Sequence, residues 1–127
     1  MNGVLPDRAL RELIDAGAIR APIDLSPDQI QPASIDLRLG TTASRLRASF
    51  LAGRGRSVAE RLPDFEMHRM DLSQGAVLEK GCVYLVPLVE RLSLPKGIEA
   101  VANAKSSTGR LDLLTRLVTD DGTDLLA

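Results

Sequence analysis

The chain has 127 residues, a length that fits one domain and can bury roughly two-thirds of its unfolded surface. Sixteen basic and seventeen acidic residues leave a net charge of −1, which excludes a general nucleic-acid binder and makes any anion site local. No signal peptide opens the chain and no apolar run is long enough to span a bilayer, which points to the cytoplasm and away from a membrane partner. The lone cysteine, Cys82, has no internal disulfide partner and lies in an apolar run, as a buried thiol in a reducing compartment would. Phe50, Phe65 and Tyr84 are the aromatics, so the core is expected to be aliphatic.

Residues 5–17 predict a helix: Pro6 suits the first turn, Leu10, Leu13 and Ile14 form one stripe, and Gly17 suits the stop. Residues 21–31, with Pro22 and Pro27, read as a loop. Residues 34–39 then alternate strictly, with Ile35, Leu37 and Leu39 on one face and Ser34, Asp36 and Arg38 on the other. The expectation is a half-buried strand closed by Gly40, with residues 42–47 as its hairpin partner. Asp36 could hold a hydrated Mg²⁺ beside a polyphosphate, or could be an outward charge on a half-exposed strand.

Gly53-Arg54-Gly55-Arg56 is a loop, and Ser57-x-x-Glu60 matches a capping box for a short helix that stops near Pro63. Short strands are predicted after it at 65–72, 76–78, 82–86, 91–94, 98–102 and 114–119, with turns at Lys80-Gly81 and Pro95-Lys96-Gly97. Pro87 cannot donate to a ladder and marks an edge or a bulge. The pattern indicates a mainly antiparallel β-roll or barrel with one opening helix. Asp120-Asp121-Gly122 signals a turn that normally leads into a return strand, so the domain is expected to continue beyond residues 123–127.

Counting excludes a zinc hydrolase: His68 and Cys82, the only histidine and cysteine, cannot supply a His/Cys/Cys set. A Cys–His nucleophilic pair would need Cys82 exposed, and no G-x-S-x-G elbow occurs. Arginines 45, 47, 54, 56 and 61 lack the interleaved aromatics of a single-strand binder and fit a solvated loop or a subunit contact.

Lys105-Ser106-Ser107-Thr108-Gly109-Arg110 carries the chemistry. Lys105 and Arg110 can neutralise phosphate, Arg110 bidentately, while Ser106 and Ser107 offer short hydroxyl donors and Gly109 permits close backbone curvature. With Ser106 capping a short helix to about Leu113, free N–H groups would also face an anion. The same residues also fit a plain helix cap between two solvated cations, and no Walker A sequence is present.

Two stretches, Pro32-Ala33-Ser34-Ile35-Asp36-Leu37-Arg38-Leu39-Gly40 and Lys105-Ser106-Ser107-Thr108-Gly109-Arg110-Leu111, resemble the paired motifs of the dCTP deaminase and dUTPase superfamily. The opening Leu5-Pro6-Asp7-Arg8 and Ala16-Gly17-Ala18-Ile19 resemble dCTP deaminases rather than dUTPases, and Leu94-Pro95-Lys96-Gly97 resembles the turn before the phosphate motif. The likeness runs from about residue 5 to 122 and implies a β-clip or distorted jelly roll, assembled as a homotrimer with sites at subunit interfaces. It implies metal-free attack of water on C4 of cytosine, giving dUTP and ammonia from dCTP, with Mg²⁺ accompanying the triphosphate and no zinc.

By that resemblance Lys105, Ser106, Ser107 and Arg110 contact the triphosphate and organise the site, Ser106 (holding the attacking water) and Arg110 are catalytic, Thr119 faces the base, and Asp120 beside it belongs to the substrate-binding set. Three departures accompany it. Lys105 stands where the family usually has Arg, Asp120 stands where it has a small residue, and its general-base Glu belongs to a strand beyond Asp120 that this chain lacks. Asp120, Asp121 and Asp124 are the nearby carboxylates, with no reason to lie over C4. The sequence therefore reads as the N-terminal portion of a dCTP deaminase, inactive by itself. The alternatives are a non-catalytic nucleotide-binding or assembly module, a dUTPase-like diphosphatase, and a parent built from two such modules.

Overall fold

The computed structural model describes residues 3–122, which fold as two compact units. The first holds the residues up to Ala43 with Met70–Ala76 and Val86–Ile98. Helix α1, Asp7–Asp15, begins one residue later than a proline in the first turn would place it, because Pro6 is extended and acts as the N-cap. Leu10 is buried and Leu13 and Ile14 are half-buried, as the stripe requires. Gly17, at φ +76°, turns the chain out of the helix while its N–H donates to Ile14 O at 3.0 Å. Strand β1, Ile19–Arg20, then pairs antiparallel with β5, Arg91–Leu92.

The predicted strand over 34–39 is not continuous. Single bridges tie Ile30 to Ile35 and Leu39 to Leu88, and Leu39 is exposed. The reason is a carboxylate. Glu90 has a fully buried side chain, and an unpartnered charge there is prohibitive. Arg38 leaves the outward face that alternation assigns it: its main-chain N–H donates to Glu90 Oε2 at 2.9 Å and its Nε to Oε1 at 2.7 Å. Gln29, in the 3-10 turn Pro27–Gln29, donates from Nε2 to the same Oε1 at 2.9 Å. The guanidinium also reaches Ile23 O at 2.8 Å and Asp24 O at 3.3 Å, so one side chain pins the loop predicted over 21–31. Burial pushes the Glu90 carboxyl up, and the donors from Arg38 and Gln29 outweigh it, leaving the group below the ordinary glutamate range.

Gly40 follows this network for steric reasons. Its N–H donates to Pro87 O at 2.7 Å, and a Cβ on Gly40 would stand 2.9 Å from that oxygen. Pro87 therefore serves as an acceptor at a close crossing.

The second unit comprises Ser44–Arg69, Val77–Leu85 and the residues from Glu99 onward. Strand β2, Thr42–Leu46, is central in a sheet ordered β3-β2-β4, with β3 at Glu66–Asp71 and β4 at Val83–Leu85. Its partners correct the hairpin expectation: Ser44 faces Leu85 and Leu46 faces Val83, antiparallel. Ser44 is buried, and its hydroxyl donates to Glu66.

Helix α2, Val58–Phe65, starts with both halves of the predicted capping box, Ser57 Oγ taking Glu60 N–H at 3.1 Å and Glu60 Oε2 taking Ser57 N–H at 3.0 Å. It passes Pro63 and ends at Phe65, two residues beyond. Phe65 stacks on the buried Phe50 with ring centroids 4.6 Å apart, and the Arg61 guanidinium lies 5.4 Å over the Phe65 ring. Among the described residues the buried core is otherwise aliphatic, as expected, with Leu10, Ile19, Ala43, Leu46 and Ala52, and Phe50 is its one buried aromatic.

Residues 76–78, 98–102 and 114–119 form no strands. Cys82 is half-buried rather than buried, and Arg45 reaches it: Nη2 lies 3.1 Å from Sγ while Nη1 pairs with Glu79 at 3.0 Å. The described residues are otherwise mainly β with an N-terminal helix, and among them no helix is long and apolar enough to cross a membrane.

Gly40→Ala is expected to lower stability by about 1–3 kcal/mol, read as a lower urea midpoint at unchanged m, since main chain must move to admit the methyl. Glu90→Gln turns an NH₂ toward the Arg38 N–H and is expected to cost about 3 kcal/mol near neutral pH. Because the folded carboxyl titrates below its unfolded value, its contribution is complete above the ordinary glutamate range and fades as pH falls through the lowered value. Urea titrations from neutral pH downward should therefore show a shallower acid limb in the variant.

Candidate functional site

The residues expected to bind an anion fold as a single short turn. Helix α3, Ser106–Gly109, has Lys105 as its N-cap in extended conformation, so Ser106 opens the helix rather than capping it. It also ends earlier than the predicted Leu113: Gly109 N–H donates to Lys105 O at 2.8 Å and Arg110 N–H to Ser106 O at 3.0 Å. Leu111 and Asp112 close tighter bonds to Thr108 and Gly109. Asp112 then takes φ +61°, which breaks the helix.

Ser106 and Arg110 are an i,i+4 pair and share one face of the turn. Ser106, Ser107 and Arg110 are exposed, as is Lys105 at the cap, while Thr108 is half-buried and anchors the turn. Hydroxyl donors and a guanidinium on one exposed turn are suited to an oxyanion with several acceptor oxygens. The structure thus brings together the four residues predicted to contact phosphate.

Thr119 and Asp120 lie in a separate turn at the end of the same segment, where Gly122 N–H donates to Thr119 O at 3.3 Å. The stretch before it is not the predicted strand. Arg116 anchors it instead, with Nη2 donating to Ser49 Oγ at 2.6 Å and Phe50 O at 3.3 Å. Asp120 Oδ1 accepts Val58 N–H at 2.6 Å and Asp121 Oδ1 accepts Gly55 N–H at 2.7 Å. These bonds join residues more than 60 positions apart, and sequence reasoning missed them. The Asp-Asp-Gly pattern signals a turn but not what its carboxylates hold, and a lone arginine after an apolar run carries no signal at all.

Asp36 belongs to the other unit and is half-buried. Its N–H donates to Gln29 O at 2.7 Å, its carbonyl accepts Gln29 Nε2 at 2.9 Å, and its Oδ2 accepts Gln31 Nε2 at 3.5 Å. It is built into the loop around Gln29 rather than being an outward strand charge. Of the other candidates, His68 is exposed on β3 and Cys82 is engaged by Arg45. The basic stretch disperses into structural contacts at Arg45 and Arg61 and exposed side chains at Arg47, Arg54 and Arg56. Asp124 lies outside the described residues.

Comparison with known proteins gives one consistent result. The profile of the 2'-deoxycytidine 5'-triphosphate deaminase N-terminal domain matches residues 1–126. A "dCTP deaminase, dUMP-forming" of Coprothermobacter proteolyticus is 32% identical over 114 residues, covering 87% of this chain and 59% of the relative. Another of that name, from Nanoarchaeum equitans, is 32% identical over 128 residues, covering 87% and 62%. The chain therefore spans about three-fifths of these relatives. The crystal structure of a 2'-deoxycytidine 5'-triphosphate deaminase from Agrobacterium tumefaciens matches with a TM-score of 0.90 and 54% identity, covering 96% of this chain and 35% of that one. The chain belongs to the family defined by the N-terminal domain of 2'-deoxycytidine 5'-triphosphate deaminases.

Proposed function

We propose that this chain carries the triphosphate-binding part of a dCTP deaminase and that the protein hydrolyses the exocyclic amine of dCTP, releasing ammonia. The observation that supports this most directly is the exposed turn Lys105–Arg110, which sets Ser106, Ser107 and Arg110 within one helical turn in a chain matching the family over residues 1–126. Arg110 and Lys105 neutralise the triphosphate, Ser107 donates to it, and Ser106 orients the attacking water toward C4 of the base, which packs against Thr119. Mg²⁺ enters with the nucleotide as part of the substrate. Water attack needs no metal held by the protein.

A general base must take a proton from that water and return one to the departing amine. Asp120 and Asp121 are poor candidates, since each carboxylate accepts a main-chain N–H of the 53–58 loop. The proposed base is the glutamate that the family resemblance assigns to a strand after Asp120. Two products follow from the same first step. Deamination alone gives dUTP; a second water that cleaves pyrophosphate gives dUMP, the reaction named for the Coprothermobacter and Nanoarchaeum relatives.

The segment that carries the turn also exposes Val101, Leu111 and Leu114, at 83%, 74% and 92%. Apolar side chains beside the proposed anion site support its completion by further protein surface, and the family resemblance is the basis for proposing that this surface belongs to a homotrimer with shared sites. A cytoplasmic protein acting on a small nucleotide, with neither nucleic acid nor membrane as partner, completes the reading.

The test is binding and turnover of dCTP with Mg²⁺, measured for the 127 residues alone and for the protein with whatever residues its gene encodes after Ala127. The 127 residues are expected to bind dCTP without turnover, and the gene product to release ammonia, with chromatography separating dUTP from dUMP plus pyrophosphate. Arg110→Ala is expected to weaken dCTP binding about 10- to 100-fold, and Ser106→Ala to slow turnover at least about 100-fold with smaller effect on binding. Binding by the gene product without turnover would leave a nucleotide-binding module, and preference for dUTP with pyrophosphate release would make it a diphosphatase.

A further inference from the structure

Residues 114–119 lead to the position proposed to face the base, yet no strand ladder holds them. Their placement rests on a seam of hydrogen bonds to the 49–58 loop. At its start, Arg116 Nη2 donates to Ser49 Oγ and Phe50 O. At its end the bonds run both ways: Val58 and Gly55 N–H donate to the Asp120 and Asp121 carboxylates, Asp121 N–H donates to Arg56 O at 3.0 Å, and Gly53 N–H donates to Gly122 O at 2.7 Å.

Two details make this seam specific. Val58 is the first residue of α2, so its N–H has no intrahelical acceptor, and Asp120 supplies a charged one across more than 60 residues. Asp121 takes φ +59°, a conformation an aspartate tolerates when its side chain bonds locally, and here the main chain and carboxylate of that one residue both bond the loop.

We propose that Asp120 and Asp121, with Arg116, are positioning residues that fix the Thr119 stretch to the 49–58 loop. The face that Thr119 offers to the base is then set by side-chain bonds where pairing of strands is absent. Asp120, which departs from the small residue usual in the family, has this main-chain role in place of a catalytic one. The functional half of the inference rests on the dCTP reading above.

The experiment uses the protein as its gene encodes it, with Asp120→Ala, Asp120→Asn, Asp121→Ala and Asp121→Asn. Amide hydrogen exchange reads the seam without any nucleotide. Asp120→Ala should raise exchange at Val58, and Asp121→Ala at Gly55, each at least about tenfold, while the Asn variants, which keep an acceptor oxygen, recover most of the protection. Steady-state kinetics with dCTP should show KM raised at least about fivefold in the Ala variants and largely restored in the Asn variants. Unchanged exchange at both amides would overturn the seam. Raised exchange with unchanged KM and kcat would overturn the positioning role. Failure of the unmutated protein to bind dCTP would overturn the nucleotide reading and the positioning role with it, and is told apart because it shows before any substitution.

Discussion

A buried carboxylate organises the first unit. Glu90 sits with its side chain out of solvent, and Gln29 and Arg38, at the two ends of one loop, donate to it alongside its own main-chain N–H. The strands there are too short to define the fold by ladders, since β1 and β5 span only two residues each. A charge in a low-dielectric site must be met by donors at fixed positions, whereas a short ladder tolerates slippage. The Glu90 cluster therefore specifies where the 23–38 stretch lies. That requirement overrides the alternation that would make it a strand.

The second unit applies the same device to its connections. Ser57 and Glu60 satisfy the start of α2 from within, and Asp120 satisfies it from across the chain. Stacked Phe50 and Phe65 supply the apolar contact beneath, and Arg61 closes over one ring. Carboxylates, not sheet edges, thus hold the long-range geometry of a unit whose sheet strands are three to six residues long.

Local rules made part of this legible. The Leu10, Leu13 and Ile14 stripe, the Ser57-Glu60 box and the turns at Gly81, Gly97 and Gly122 each depend on neighbours a few residues away, and each is present. The failures share a cause of the opposite kind. Arg38 and Asp120 are polar residues whose partners lie more than 50 positions distant, and no local pattern distinguishes a solvated charge from one committed to such a bond. Three apolar stretches read as strands for the same reason: alternation records which side chains seek cover, not whether a partner strand lies within reach. The turn proposed to bind phosphate is legible because its chemistry is compact. Lys105, Ser106, Ser107 and Arg110 form one turn wherever the rest of the chain goes.

That contrast bears on how such a site tolerates change. The turn proposed to bind phosphate is short-range and keeps its donors together even if its surroundings shift, so charge and hydroxyl chemistry at 105–110 is robust to distant substitutions. The stretch proposed to face the base is long-range and depends on Asp120, Asp121 and Arg116. Lys105, where the resemblance implies arginine, illustrates the first case: in the proposed role an ammonium still neutralises phosphate but loses the planar fork, a change in strength that leaves the geometry intact. Asp120 illustrates the second. A carboxylate beside the position proposed to face the base would disturb a site built for a polyanion, as the proposed reading requires, unless a main-chain donor claims it. In this fold Val58 does, and the helix that supplies the donor gains its N-terminal acceptor from the same bond.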